Sequence, residues 1–168
     1  MFKRMTASGG LALCAMLGVA GCVSTYVQPA DSPDVAHITY NRMPGLEGLG
    51  HVQQLILSNG AQCERIQQLD SFSPISSNFG KITERQVRLP GGARTYLVTL
   101  TVSSGGMGYS RNCSNMASFT PRAGGRYGVT QQVLPTRCEI EVIDIATGAP
   151  PADLQFHPAI RACTANLE

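Results

Sequence analysis

From residue 83 onward, apolar and polar positions trade places with a period of two, the signature of half-buried strands rather than helices. Thr83, Arg85, Val87 and Leu89 fall on one side of the first such run, and Glu84, Gln86 and Arg88 on the other. After Pro90-Gly91-Gly92-Ala93, the run 94–103 sets Tyr96, Val98, Leu100 and Val102 on one face against Thr95, Leu97, Thr99 and Thr101. The two runs read as a hairpin on a Pro-Gly-Gly turn, and the β-branched content of the second predicts a strand at the centre of a sheet. A short strand at 116–120 follows, then a Pro-Gly-Gly turn region at 121–125. A further strand at 126–134 turns Tyr127, Val129, Gln131 and Val133 one way. In 137–145, Cys138, Ile140 and Val142 alternate with Glu139 and Glu141, and the segment closes in a turn at 144–148.

Upstream, 52–57 and 62–69 read as another hairpin about Asn59-Gly60, because Asn-Gly accepts the positive φ of a tight turn. Leu46, Leu49, Gln53 and Ile56 also line up on a helical face, an alternative opposed by Gly45, Gly48 and Gly50. Six to eight short strands punctuated by Gly and Pro predict an all-β fold, a small antiparallel β-sandwich. The order of strand, Leu89-Pro90-Gly91-Gly92 turn, strand, then Phe119-x-Pro121-x-x-Gly124-Gly125-x-Tyr127 and a cysteine-led strand resembles the PEGA-like and transthyretin-like segments of bacterial lipoproteins. That resemblance covers roughly 81–148 and implies an immunoglobulin-like or transthyretin-like sandwich. It brings no catalytic residue.

The N-terminal segment has a different pattern. A basic end (Lys3, Arg4) precedes an apolar run at 11–20, which is the layout of a secretory signal and too short for a permanent span. The run ends Leu17-Gly18-Val19-Ala20-Gly21-Cys22, and these residues resemble the lipobox of a bacterial lipoprotein. The resemblance implies cleavage after Gly21, acylation of Cys22 and, with Val23 rather than aspartate next, residence on the periplasmic face of the outer membrane. Two or three acyl chains would hold the protein on the bilayer, since each buried methylene contributes about 0.8 kcal/mol. The expected organisation is a signal at 1–21, a lipidated tether at 22–36 and one β domain at 37–168. Val23 to Ala36 has two prolines and no period, so it reads as coil that floats the domain roughly 20 Å from the membrane.

Charge narrows the partners. The whole chain carries +2, and loss of Lys3 and Arg4 with the signal makes it neutral, so no global field favours nucleic acid. The distribution is uneven: 81–137 holds eight basic residues against Glu84, and the end from Cys138 holds five acids against Arg161. Arg85, Arg88 and Arg94, with Tyr109 and Arg111 beside the glycine-rich stretch 103–108, are the candidate binding residues for an anionic glycan. The plainer expectation is that these arginines pair with the acidic end on solvated faces.

Of six cysteines, Cys14 leaves with the signal and Cys22 takes lipid, so Cys63, Cys113, Cys138 and Cys163 remain. In an oxidising envelope they make two disulfides, for which three pairings exist. Cys113 with Cys138 is favoured because both stand at the ends of strands taken as neighbours, which leaves Cys63 with Cys163. Cys-x-x-Cys and finger-like metal spacings are absent, and His37, His51 and His157 accompany no local nucleophile motif. The stretch 103–108 lacks the Gly-Lys-Ser of a phosphate loop. The sequence therefore predicts no cofactor and no metal. It points to an anchored, non-enzymatic binding or accessory module for an envelope protein or the cell wall. A cell-wall inhibitor or enzyme, and a structural component of an envelope assembly, are the alternatives.

Overall fold

The computed structural model describes residues 24–43, 51–72, 82–105, 109–134 and 137–158, together with Cys163. The signal, Cys22, Leu46, Leu49, Lys81, Arg161 and residues 106–108 of the glycine-rich stretch lie outside them.

Ten strands and no helix occur among the described residues. They are β1 (Ser24–Thr25), β2 (Val35–Asn41), β3 (His51–Ser58), β4 (Ile66–Phe72), β5 (Glu84–Pro90), β6 (Thr95–Gly105), β7 (Tyr109–Phe119), β8 (Arg126–Val133), β9 (Cys138–Asp144) and β10 (Gln155–His157). A six-stranded sheet has the order β1-β4-β3-β6-β7-β10, and a four-stranded sheet has the order β5-β2-β8-β9. Most pairings are antiparallel, but β1 with β4 and β2 with β8 are parallel, which departs from the expected all-antiparallel layout. The sheets share one core: Ile38, Tyr40, Val87, Leu89, Tyr127 and Val129 from one meet Leu55, Leu97, Ala117 and Phe119 from the other.

The Pro-Gly-Gly turn does not close a hairpin. β5 pairs with β2, while β6 pairs with β3 and β7, so the turn carries the chain from one sheet to the other. The residues at the turn are those a crossing needs. Gly91 donates its N–H to the Asp34 carbonyl at 2.8 Å, and a Cβ there would lie 2.6 Å from the Ala123 Cα. Gly92 takes φ +79° and donates to the Pro121 carbonyl at 2.7 Å. The second glycine-rich turn, before β8, likewise separates β7 in one sheet from β8 in the other.

The loop after β3 also differs from expectation. Seven residues separate Ser58 from its partner Ile66, and the positive φ falls on Cys63 at 53° rather than on Gly60. Asn59 Oδ1 instead accepts the Arg65 N–H at 3.0 Å, closing the loop through its side chain.

Residues expected to form a free tether lie on the body. Ser24 and Thr25 pair with Gln67 and Gln68, the Tyr26 N–H donates to the Gln68 carbonyl at 3.0 Å, and Gln28 Oε1 accepts the Arg88 N–H at 3.0 Å. Val35 and Ala36 are buried in β2. The described fold thus begins at Ser24, ahead of the expected boundary at residue 37.

Burial on β6 runs counter to its polarity. Leu97, Thr99 and Thr101 face the other sheet, while Val98 and Leu100 join Ile56, Ile66, Met116, Cys63 and Cys163 in a second cluster on the outer face. Cys163, fully buried there, bonds to Cys63 across a Cα separation of 5.2 Å. Cys113 bonds to Cys138. This second disulfide joins β7 to β9 across the two sheets, so the expected pairing occurs on strands that are not hairpin neighbours.

Candidate functional site

The candidate arginines do not form one face. Arg85 leans to the interior side of β5, its Nε 3.5 Å from Asp70 Oδ1 and its guanidinium over the Phe72 ring. Arg88 is half-buried on the opposite side of the same strand. Arg94 stands at the start of β6 in the other sheet. Tyr109 and Arg111, expected beside the glycine-rich stretch 103–108, have their backbones in β7, and their side chains lie outside the described residues. Arg94, Arg122 and Arg137 pair with Asp153, Asp144 and Glu139, so three of the basic residues meet acids from the C-terminal end.

What the fold does assemble is a polar cluster where β6, β7 and β10 meet. β10 pairs with β7 so that His157 lies opposite Met116 and Gln155 opposite Ser118. Ser118 Oγ is 2.7 Å from His157 Nε2 and accepts from Arg94 Nη2 at 2.9 Å. Arg94 Nη1 lies 3.5 Å from Asp153 Oδ2, which also accepts the Thr120 N–H at 2.9 Å, and the His157 ring rests 5.6 Å from that of Tyr96. A serine and an imidazole at this distance are the parts of a nucleophile and its base. Here Ser118 is 0 % exposed and its oxygen is already engaged by a guanidinium, so the cluster works as a clasp that holds the chain from Asp153 to His157 against β7. Its members are up to 63 residues apart in sequence, and no local motif announces it. His37, by contrast, stands 3.4 Å from Asp31. No group of three His, Cys, Asp or Glu able to hold a metal occurs among the described residues.

A second polar assembly lies between the sheets. Gln131 on β8 is 0 % exposed; its amide donates to the Asn115 Oδ1 and the Cys113 carbonyl, both at 3.1 Å, and its Oε1 accepts from Thr101 Oγ1 at 2.7 Å. Asn115 passes the link on by donating to the Cys138 carbonyl at 2.9 Å. Gln53 does similar work at β2, donating to the Asn41 carbonyl and accepting the Met43 N–H. These side chains replace apolar packing between the sheets with directional bonds, which set one relative register of the layers.

Among the clefts lined by the described residues, two bear on the site. One, of about 580 Å3, lies between Ser24, the 63–67 loop and Arg94. The other, of about 520 Å3, runs along β9 from Cys138 to Ile143 and is walled by Pro150, Leu154, Phe156 and His157. Phe156 is 65 % exposed at that wall. No family model and no curated protein matches this chain.

Proposed function

We propose that the chain is a bacterial envelope lipoprotein, acylated on Cys22 and held on the periplasmic face of the outer membrane, whose immunoglobulin-like or transthyretin-like sandwich is a non-enzymatic binding or accessory module for another envelope component. The observation that carries this reading is the run Leu17 to Cys22 behind a basic end and an apolar segment. Two disulfides add support, because such bonds persist in oxidising compartments. The short stretch of chain between Cys22 and β1 supports a flush attachment. Two residues extended reach about 7 Å, so an acylated Cys22 sits within that distance of Ser24 in β1. The domain would rest on the bilayer by its β1 edge instead of floating on a coil.

Mass spectrometry of the native protein tests the reading. A mature N-terminal peptide beginning at Cys22 and carrying a diacylglyceryl thioether is expected, and Cys22→Ala should release the domain into the soluble periplasmic fraction. An unmodified thiol, or residues 1–21 still attached, overturns it.

A further inference from the structure

The two disulfides lie in unlike surroundings. Cys63, which borders the cleft beside Arg94, and Cys163 are both buried, and their bond sits in a cluster with Ile56, Ile66, Val98, Leu100 and Met116. Cys113 is buried within β7, opposite Thr101, whereas Cys138 is half-buried and lines the cleft walled by Phe156. Cys138 is also the first residue of β9, paired with Val133 at the end of the ladder to β8. Movement of Cys138 therefore disturbs only the last rung of that ladder, while movement of Cys113 would break the interior of a sheet.

Thiol–disulfide exchange proceeds by attack of a thiolate on one sulfur and departure of the other, and it is faster when the departing sulfur is stabilised as a thiolate. The Gln131 amide nitrogen, an N–H donor, lies 3.3 Å from Cys113 Sγ, and a hydrogen bond to a charged form favours that form. Cys63–Cys163 has different company: a thiolate expelled into its apolar cluster bears the full cost of desolvation. The bonds around Cys113–Cys138 also support the fold without the covalent link. Asn115 donates to the Cys138 carbonyl and Gln131 to the Cys113 carbonyl, bonds that involve neither sulfur, and the core shared by the two sheets includes neither cysteine.

We infer that Cys113–Cys138 is a thiol-exchange site, opened by a dithiol that attacks Cys138 from the cleft side. One thiolate of the dithiol bonds to Cys138 Sγ, the Cys113–Cys138 bond breaks, and its electron pair leaves on Cys113 Sγ, which takes up a proton. The second thiolate of the dithiol then attacks its own neighbour's sulfur in the mixed disulfide and expels Cys138 as a thiolate, which is protonated in turn. The dithiol ends as a disulfide, and its two protons end on Cys113 and Cys138. Phe156, 65 % exposed on the same cleft wall, gives a dithiol protein an apolar surface to rest on. Opening the bond frees the end of β9 from β7, so the covalent tie between the sheets is reversible. This goes beyond the binding-module reading and rests on it only for the compartment in which the dithiol is met.

The test uses the full mature chain in detergent micelles, in mildly alkaline buffer, with dithiothreitol as the dithiol. Free thiols are blocked with iodoacetamide at intervals and located by peptide mass, while far-UV circular dichroism follows the fold. Cys113 and Cys138 should be alkylated together, roughly tenfold faster than Cys63 and Cys163, with the spectrum unchanged. Brief exposure to glutathione, a monothiol, followed by an acid quench should leave the mixed disulfide on Cys138. Equal rates for the two bonds, earlier loss of Cys63–Cys163, reduction of Cys113–Cys138 only in urea that unfolds the protein, or a glutathione adduct on Cys113 would each overturn the proposal. Acylation of Cys22 is scored by the mass of the N-terminal peptide in the same digest, so failure of the anchor and failure of the exchange site are distinguishable.

Discussion

Gln131 is one of the residues that bond the two sheets together, and removing it tests how much the interior polar network contributes. Gln131→Leu keeps nearly the same volume but deletes the acceptor for Thr101 Oγ1 and the donor to Asn115 Oδ1 and the Cys113 carbonyl. A buried polar group left without a partner costs about 1–3 kcal/mol, and the Thr101 hydroxyl, fully buried, bears this in full. Set against the gain from burying a leucine, the single variant should lose about 2–4 kcal/mol. Thr101→Val alone should lose about 1–2 kcal/mol, because it orphans the Gln131 oxygen but keeps the amide donors engaged. In the double variant the orphaned hydroxyl and the orphaned oxygen vanish together, so its loss should fall short of the sum by about 1–2 kcal/mol. Urea unfolding followed by far-UV circular dichroism measures all four proteins, which suits a chain without tryptophan. Additivity within about 0.5 kcal/mol would refute the argument that these groups act as one network.

The disulfides should rank by loop length: Cys63→Ser/Cys163→Ser, which opens a 100-residue loop, should cost about 4.7 kcal/mol, and Cys113→Ser/Cys138→Ser, with 25 residues, about 3.5 kcal/mol. Urea midpoints in the reverse order would sink the chain-entropy account. Burial pushes the Tyr40 phenol well above the ordinary tyrosine range, with its O–H donating to the Gln54 carbonyl at 3.0 Å. The unfolded chain therefore releases this proton near pH 10 while the folded one retains it. Stability present below pH 10 is lost as pH rises, by about 1.4 kcal/mol at pH 11. Tyr40→Phe should flatten that alkaline limb, and a limb of unchanged slope would count against the assignment. Gly91→Ala should cost more than about 2 kcal/mol, since its Cβ would lie 2.6–2.8 Å from backbone atoms of Ala123 and Asp34, whereas Gly60→Ala meets nothing within 4 Å and should fall within about 0.5 kcal/mol of the parent in the same urea assay.

Most strands from residue 52 onward were legible in the sequence, whereas β1, β2, β10 and the first half of β7 were not, and neither were the sheets to which the strands belong. Period-two alternation reports which residues share a face, so Ile140 with Val142 and Tyr127 with Val129 came out on buried sides as read. Alternation says nothing about which strand lies alongside. A Pro-Gly-Gly segment serves equally to reverse a chain within one sheet or to carry it across to another. The choice was made by contacts remote in sequence, the Gly91 approach to Ala123 and the bond from Gly92 to Pro121. β6 carried the same ambiguity in its faces. Its more apolar side, Val98 and Leu100, turned outward because the Cys63–Cys163 cluster covers it, and its threonines turned inward because Gln131, thirty residues on, supplies a partner for Thr101. The clasp of Ser118, His157 and Arg94 was illegible for the same reason, since β10 is three residues long and finds β7 only in the folded chain. The charge asymmetry corresponds in part to observed pairs: Arg94 with Asp153 and Arg122 with Asp144 join the basic stretch to the acidic end, Arg137 with Glu139 does so locally, and Arg85 turns to Asp70 instead. Long-range electrostatic balance can be counted along a sequence without knowing topology, whereas strand order cannot, because strands of similar pattern can exchange neighbours without altering the alternation that marks them.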